Sequence, residues 1–453
     1  MKTKRAVRTL LAAAAIGIGV ATTTHAADLV VWWTKGVTQA EDDAFKSVIA
    51  LWERQTGKKV DVSFYASGDT EAKTIPAMKA GLPPDLTYDF TYDLAYTPTW
   101  AFDDLMADVS DVLEPIKDQI QPGVLDSLSF LNGKTGKKSY YALPFFQMSP
   151  HIHYWNDLLE QAGFKASDIP NSWEPFFDFW CSKVQPALRA KGNRIYGLGQ
   201  GSSTASNDPF FNVHLYLNAY GAEVVAPDGK LRINEPDIKK RVVQAIDSYV
   251  KPIKGQCSPP DATNWGGADD NVSFLNKKNL VAMNPTLSIP MSQLASNPDN
   301  YYKNMHTVPW PNGPDGPDGP DGKPTPTMIS VKQVLIFKQS KNIDNAKSFM
   351  KLFLTPANMG PMLKAMNGRF WPVMPALIND PFYSDPKDPH RSAAFKQFTQ
   401  ATNKPFPQTY NRHYARVMAE QLWGKMLGRI VLDGWTTEKA VDELAERMTK
   451  IMS

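Results

Sequence analysis

The sequence predicts an α/β fold made of two sheet-and-helix units, and three observations carry that prediction. Residues 28–90 read strand, helix, strand, helix, strand, the alternation of a parallel sheet joined by right-handed crossovers. A second alternation of strand-like and helical patterns fills much of 148–327. The chain has 453 residues, 42% of them hydrophobic, which is ample for more than one core. Two Cys, and 49 Lys+Arg against 46 Asp+Glu, exclude a disulfide-stapled miniprotein, a disordered tail and a strongly basic nucleic-acid binder. The 36 Pro and 12 Trp add many fixed loops and large flat side chains, as expected of a groove-forming ligand binder or an extracellular enzyme.

Taken in order, segment 28–33 is a short apolar run rich in Val and Trp, the pattern of a buried strand. Thr38 and Glu41 stand at capping-box spacing, after which Ala44, Phe45, Val48, Ile49 and Trp52 recur at helical period until Gly57. Val60, Val62 and Phe64 alternate as a second strand. A helix over 71–80 stops at Gly81, Pro83 and Pro84 block its continuation, and 85–90 makes a third strand. Sheets of this kind hold their binding groups in the loops past the carboxyl ends of strands. Those loops carry Trp33, Thr34 and Lys35, then Tyr65, Ser67 and Asp69, then Asp89, Phe90 and Tyr92.

Segment 140–147 is a strand interrupted by Pro144, which suits a crossing between units better than a sheet centre. Helices follow over 156–161, closed by Gly163, and over 173–188 behind the caps Asn171 and Ser172. Residues 195–198 are strand-like, 209–220 and 236–250 helical, and 280–284 a further strand. The run 311–324 repeats Pro-Asp-Gly three times in tandem and reads as a surface turn array. A strand over 331–337 and a helix over 344–354 come next, then a helix from Pro356 to the stop at Gly368. The tail 410–453 reads as two helical pieces broken at Asp433 and Gly434, with Ala440, Val441, Leu444, Met448 and Ile451 on one face.

Lys2, Lys4, Arg5 and Arg8 precede an apolar run over 10–21 and a small-residue cut after Ala26, so 1–26 is expected to be a secretory signal. The run is about a dozen residues, short of the roughly 20 that span a bilayer, and the mature chain is expected to be soluble in an oxidising compartment. These four basic residues account for the apparent basicity. Without them, 45 Lys+Arg face 46 Asp+Glu and the net charge moves from +3 to −1, which fits capture of an uncharged polar ligand better than of a polyanion. Cys181 and Cys257 both fall in the exported part, as a disulfide or as two separately buried thiols. His151 and His153 would face one side of a strand, but no third ligand is nearby, so packing is expected and no metal site or cofactor.

Several segments, in this order and spacing, resemble the family 1 extracellular solute-binding proteins, the sugar-type receptors of bacterial ABC importers. They are the strand 29–33, Ala80-Gly81-Leu82-Pro83-Pro84-Asp85, Tyr141-Ala142-Leu143-Pro144, the run from Tyr154 to Gly163, Asn171-Ser172-Trp173, Asn279-Leu280-Val281-Ala282-Met283 and the closing stretch 436–448. The likeness covers essentially the whole mature chain. Where many relatives read Tyr-Asn-Lys-Asp this chain has Tyr154-Trp155-Asn156-Asp157, and the Pro-Asp-Gly insert and the density of Trp are also unusual. The resemblance implies a two-lobed periplasmic-binding-protein fold of type II, each lobe a sheet flanked by helices, with a three-crossing hinge. Lobe one would be 27–146 and 330–372, lobe two 148–328 and 376–453, with crossings near Gln147, Ser330 and Val373. It further implies a periplasmic monomer, not an enzyme, that takes a small-molecule carbohydrate or polyol and delivers it to the transmembrane permease subunits of an ABC importer.

A sugar has flat C–H faces and a rim of hydroxyls, so its cleft needs aromatic planes together with carboxylate, amide and cationic side chains. Family topology would aim Trp33, Lys35, Asp69 and Asp89 into the cleft from lobe one, with Arg369 and Trp371 near the last crossing. Gln147, Trp265, Asn284 and Trp310 would come from lobe two and the hinge. Trp265 sits in a loop where Gly266 and Gly267 let a ligand approach the backbone. Competing readings are core or loop packing for Trp265 and Trp310, and a structural ion pair between Asp89 and Arg369. An exported glycoside hydrolase or lyase would use carboxylate pairs such as Asp103-Asp104 or Asp269-Asp270, but adjacent acids are common on surfaces and no GxSxG, HExxH or P-loop motif occurs. The same binding fold could also serve a sensor kinase or a non-sugar ligand.

Overall fold

The computed structural model describes residues 27–66, 68–314 and 325–453. The predicted signal segment, Ser67 and most of the Pro-Asp-Gly run lie outside the described residues.

Strand β1 (Leu29–Thr34) buries Leu29, Val31 and Trp33 on one face, as its alternation requires. It lies between β2 (Val60–Tyr65) and β3 (Leu86–Tyr88), parallel to both, in the register Leu29 to Val60 and Val31 to Leu86. The helix Gln39–Thr56 starts on the Thr38 and Glu41 capping box, ends at Gly57 with φ near +72°, and buries Phe45, Val48, Ile49 and Trp52. Trp33 stacks on Phe45 at 3.9 Å between ring centroids, and Phe145, Phe349 and Phe353 complete this core. A hairpin of β4 (Ser129–Leu131) and β5 (Lys138–Tyr140) flanks the unit.

The second sheet contains β7 (His151–Trp155), β8 (Tyr196–Gly199), β9 (Asn279–Asn284) and β10 (Met305–Val308) in the order β10-β7-β9-β8. Only the β8–β9 pair is parallel. The helix Pro236–Lys254 packs against both the almost wholly buried helix Asp208–Ala219 and the closing helix Thr437–Met452. The closing helix buries the face formed by Ala440, Val441, Leu444, Met448 and Ile451. Cys181 and Cys257 are joined in a disulfide with 5.3 Å between Cα atoms, tying the helical segment 173–190 to the chain just past Lys254.

The two units share their connections. β6 (Leu143–Met148) belongs to the first sheet and β7 to the second, with only Ser149 and Pro150 between them. β11 (Thr327–Leu335) is buried along its whole length and has three partners. Its start runs parallel to β12 (Asn403–Pro405), its middle antiparallel to β6 and its end antiparallel to β3. Beside them the Gln147 N–H donates to the Trp371 carbonyl at 2.8 Å, and the Trp371 N–H donates back at 2.9 Å. The Gln147 side chain also donates to the Pro372 carbonyl at 2.7 Å.

Some elements differ from the sequence reading. Segment 140–147 is two strands, and Pro144, which has no N–H to give, sits where the β6–β11 register shifts between Lys332 and Gln333. The helix over 173–188 carries a π turn at Trp180–Val184. The tail has three helical pieces rather than two, because Gln421 adopts φ near +52° ahead of Leu422–Val431. β10 and β12 were not expected.

Candidate functional site

Past the carboxyl ends of β1 and β3 lies a pocket of about 220 Å³. Exposed Lys35 and Val37 stand at its mouth, and Phe90, Phe146 and Phe370 form its apolar wall. Phe146 and Phe370 stack at 4.1 Å, and the Arg369 guanidinium lies 4.6 Å from the Phe370 ring centre. Arg369 donates to Glu41 Oε2 at 2.8 Å, so the acid that caps the first helix also fixes the pocket's arginine. Asp89 is fully buried behind this wall. It accepts from Thr34 Oγ1 at 3.0 Å and from the Thr91 N–H and Oγ1 at 2.9 and 2.8 Å, which clamps the ends of β1 and β3 together.

A second pocket opens past the carboxyl end of β8, lined by Gly199, Gly201, Asp208, Asn212, Trp265 and Asp270. Gly199 is required there, because a Cβ would sit 2.3 Å from the Asn279 amide nitrogen. Asp208 opens its helix and accepts from Ser206 Oγ at 2.6 Å. Asp270 accepts from Asn284 Nδ2 at 3.2 Å on one oxygen, while its other oxygen and Asn212 Oδ1 are buried without a donor. Burial pushes both carboxyls well above the usual carboxylate range, and for Asp208 the charge of Asp270 adds to it. Each acid therefore holds a proton more readily than an exposed carboxyl does.

The tail joins these halves. Helix Ala415–Ala419 packs on Tyr92–Ala95 of the first unit, Gln421 Nε2 donates to Asn207 Oδ1 at 2.7 Å, and the Arg412 guanidinium lies 3.6 Å from the Phe102 ring centre.

Of the residues singled out in the sequence, Lys35 and Arg369 meet at the first pocket and Trp265 walls the second. Trp33 contributes only an edge to the first pocket, since Phe45 covers its face. Trp310 is stacked on Trp173 and donates to the Pro150 carbonyl, and Trp371 stacks on Phe398 at 5.0 Å; neither presents a face to either pocket. Asn284 Oδ1 accepts from the Thr286 N–H at 3.0 Å and holds a turn. Gln147 is buried among the connecting strands, and Asp69 is exposed at the start of its helix, outside both pockets. The ion pair weighed between Asp89 and Arg369 is not formed, because Glu41 takes the arginine and three Thr donors satisfy Asp89. Asp270 is buried rather than a surface acid. Sequence reasoning passed over Asp208, Asn212 and Phe370. The available signal was Asn207-Asp208-Pro209 just past a strand, where the strand-end rule used for the first unit applies equally. His151 and His153 are fully buried, bonded to Gln397 and Thr307, and no cluster of three metal-ligating side chains occurs among the described residues. No helix among the described residues is long and apolar enough to cross a membrane.

The sequence and the fold have counterparts among known proteins. The mannitol-binding protein of Pseudomonas aeruginosa is 28% identical over 160 residues, and that match spans 35% of this chain and about a third, 32%, of the relative's own length. An ABC transporter solute-binding protein from Thermotoga lettingae, bound with α-D-tagatose, superposes with a TM-score of 0.72 at 20% identity, covering 94% of this chain and 99% of the other. The sugar-binding protein MalE of Xanthomonas citri gives 0.70 at 18% identity over 94% and 97%. A sugar transporter from Arthrobacter chlorophenolicus, with bound laminaribiose, gives 0.69 at 15% over 94% and 99%. The fold is thus that of the two-lobed periplasmic binding proteins. The family model for bacterial extracellular solute-binding proteins matches residues 47–393, most of the chain, and on that match the protein belongs to this family.

Proposed function

We propose that this chain is the exported receptor of an ABC importer, capturing a sugar or related polyol between two lobes and delivering it to the membrane permease. The observation that carries the reading is the pair of pockets past the strand ends of two separate sheets, joined by β6, β11 and the Trp371 segment lying side by side. In this reading the lobes are 27–146 with 330–372 and 148–328 with 376–453, and the chain bends at Gln147, Ser330 and Val373. Closure follows from differential affinity, since a solute touching both pockets at once stabilises only the closed form. Lys35 and Arg369 would donate to hydroxyls, Phe90 and Trp265 would cover C–H faces, and Asp208 and Asp270 would accept. A signal segment over 1–26 would direct the chain to the periplasm. The tagatose and laminaribiose bound in two of the solved relatives, the sugar-binding description of the third and the mannitol in the curated relative's name support the same solute class.

The test is a thermal-shift and Trp-fluorescence screen of the mature chain against sugars and polyols. A solute at 100 times its Kd should add about 2.7 kcal/mol of stability. A broad panel without stabilisation would remove the carbohydrate assignment. Calorimetry separates receptor from hydrolase: a single saturable event is expected, and continuing turnover heat with oligosaccharides would identify an enzyme.

A further inference from the structure

We propose that the pocket past β8 receives a primary ammonium group, so that the captured solute is an amine-bearing sugar or polyol; the second half of this statement rests on the polyol reading above. Size comes first. The pocket has room for one water-sized group, about 10 Å³, so a substituent enters and a sugar ring does not.

Hydrogen-bond accounting then selects the substituent. Asn212, 2% exposed, lines this space and has an unpartnered Oδ1, and Asp270, 4% exposed, has one oxygen without a donor. The Asp208 carboxylate is the third acceptor in the lining, with Ser206 Oγ as its side-chain donor. Among the described residues, no Lys, Arg or His lines the pocket. A hydroxyl brings one proton to three acceptors and no charge to two carboxyls. An ammonium brings three N–H donors in a water-sized group, and its charge offsets the acids. Trp265 supplies an aromatic wall, a further favourable surface for a cation. Burial holds both carboxyls partly protonated, so an entering cation should ionise them and expel a proton.

The experiment is titration calorimetry of the native mature chain with matched pairs: 2-amino-2-deoxyhexoses and 1-amino-1-deoxyalditols against their parent hexoses and alditols, with butylamine and calcium chloride as separate arms. The expected result is that one amine binds about tenfold or more tighter than its parent hydroxyl compound. Asp270→Asn, checked for folding by circular dichroism, should weaken the amine about tenfold more than its parent hydroxyl compound and so erase that preference. Proton release, read from buffers of different ionisation enthalpy, should accompany amine binding near neutral pH. Equal affinity within every pair overturns the amine assignment and leaves the polyol reading standing. Butylamine binding as tightly as any amino sugar keeps the ammonium site and overturns the polyol reading. Calcium alone raising the melting temperature through Asp270 would make this a metal site and overturn the ammonium assignment. A blank across all arms overturns both readings. The pairwise comparison uses the native chain and does not depend on the variant.

Discussion

Lowering the pH from 7.5 to 5.5 should destabilise this protein through histidines that the fold keeps neutral. His151, His153, His214 and His390 are fully or almost fully buried, and desolvation holds them at about 3, 4, 4 and 3, against about 6.5 in an unfolded chain. The folded state therefore binds fewer protons, and their stability contribution is complete above pH 6.5 and lost as pH falls toward the folded values. Each such histidine should cost about 1.3 kcal/mol over this interval, or about 5 kcal/mol for the four. Asp208 and Asp270 act in the opposite sense. Their raised values mean the fold gains protons as pH falls, so they return part of that loss. His214 isolates the effect. Its Nδ1 bonds the Phe210 carbonyl at 2.5 Å and its Nε2 the Tyr414 hydroxyl at 2.9 Å, with Phe406 and Trp423 packed around the ring. His214→Gln should cost stability at pH 7.5, yet lose about 1.3 kcal/mol less than the native chain on going to pH 5.5. Urea titrations of both proteins at pH 7.5, 6.5 and 5.5 measure this difference of differences. Parallel pH profiles for variant and native chain would refute the argument, because they would mean His214 titrates alike folded and unfolded.

Two further outcomes follow from the packing. Cys181 and Cys257 close a loop spanning 76 positions, so replacing both by Ala should lower unfolding stability by about 4 kcal/mol; an unchanged urea midpoint after reduction of the native chain would contradict it. Lys332, fully buried on β11, donates to Asp93 Oδ1 at 2.9 Å and to the Phe90 carbonyl at 2.7 Å. Lys332→Met should cost about 3–5 kcal/mol by leaving Asp93 buried without its cation, and Asp93→Asn added to it should recover part of that loss in the same denaturation assay; an additive double variant would show that the two do not act as a pair.

Periodic elements were readable because their signals are local. The capping box at Thr38 and Glu41, the stop at Gly57 and the buried face of the closing helix each depend on residues within a few turns. β12 was not, since three residues become a strand only by pairing with β11, far away in sequence. The site was legible as a rule about strand ends and illegible in its orientations. Whether a loop Trp shows its face is decided by what lies over it, and Phe45 over Trp33 or Trp173 beside Trp310 comes from another element. Glu41 reads locally as a cap, and nothing near it announces Arg369. Asp270 reads as one of two adjacent surface acids, and only the packing of β9 and the loop at Trp265 shows that it is buried.

The pairing of β3 with β11 also sets a timetable for synthesis. Tyr88 meets Val334, so the first sheet stays incomplete until most of the chain has left the ribosome, with all four strands of the second sheet made in between. Closing so long a loop is slow, and the chain waits with an open sheet edge. Under the export proposed above, the chain would cross a membrane channel unfolded, and that delay would be useful. Late completion would keep such a chain loose enough to pass and leave folding to the far side of the membrane.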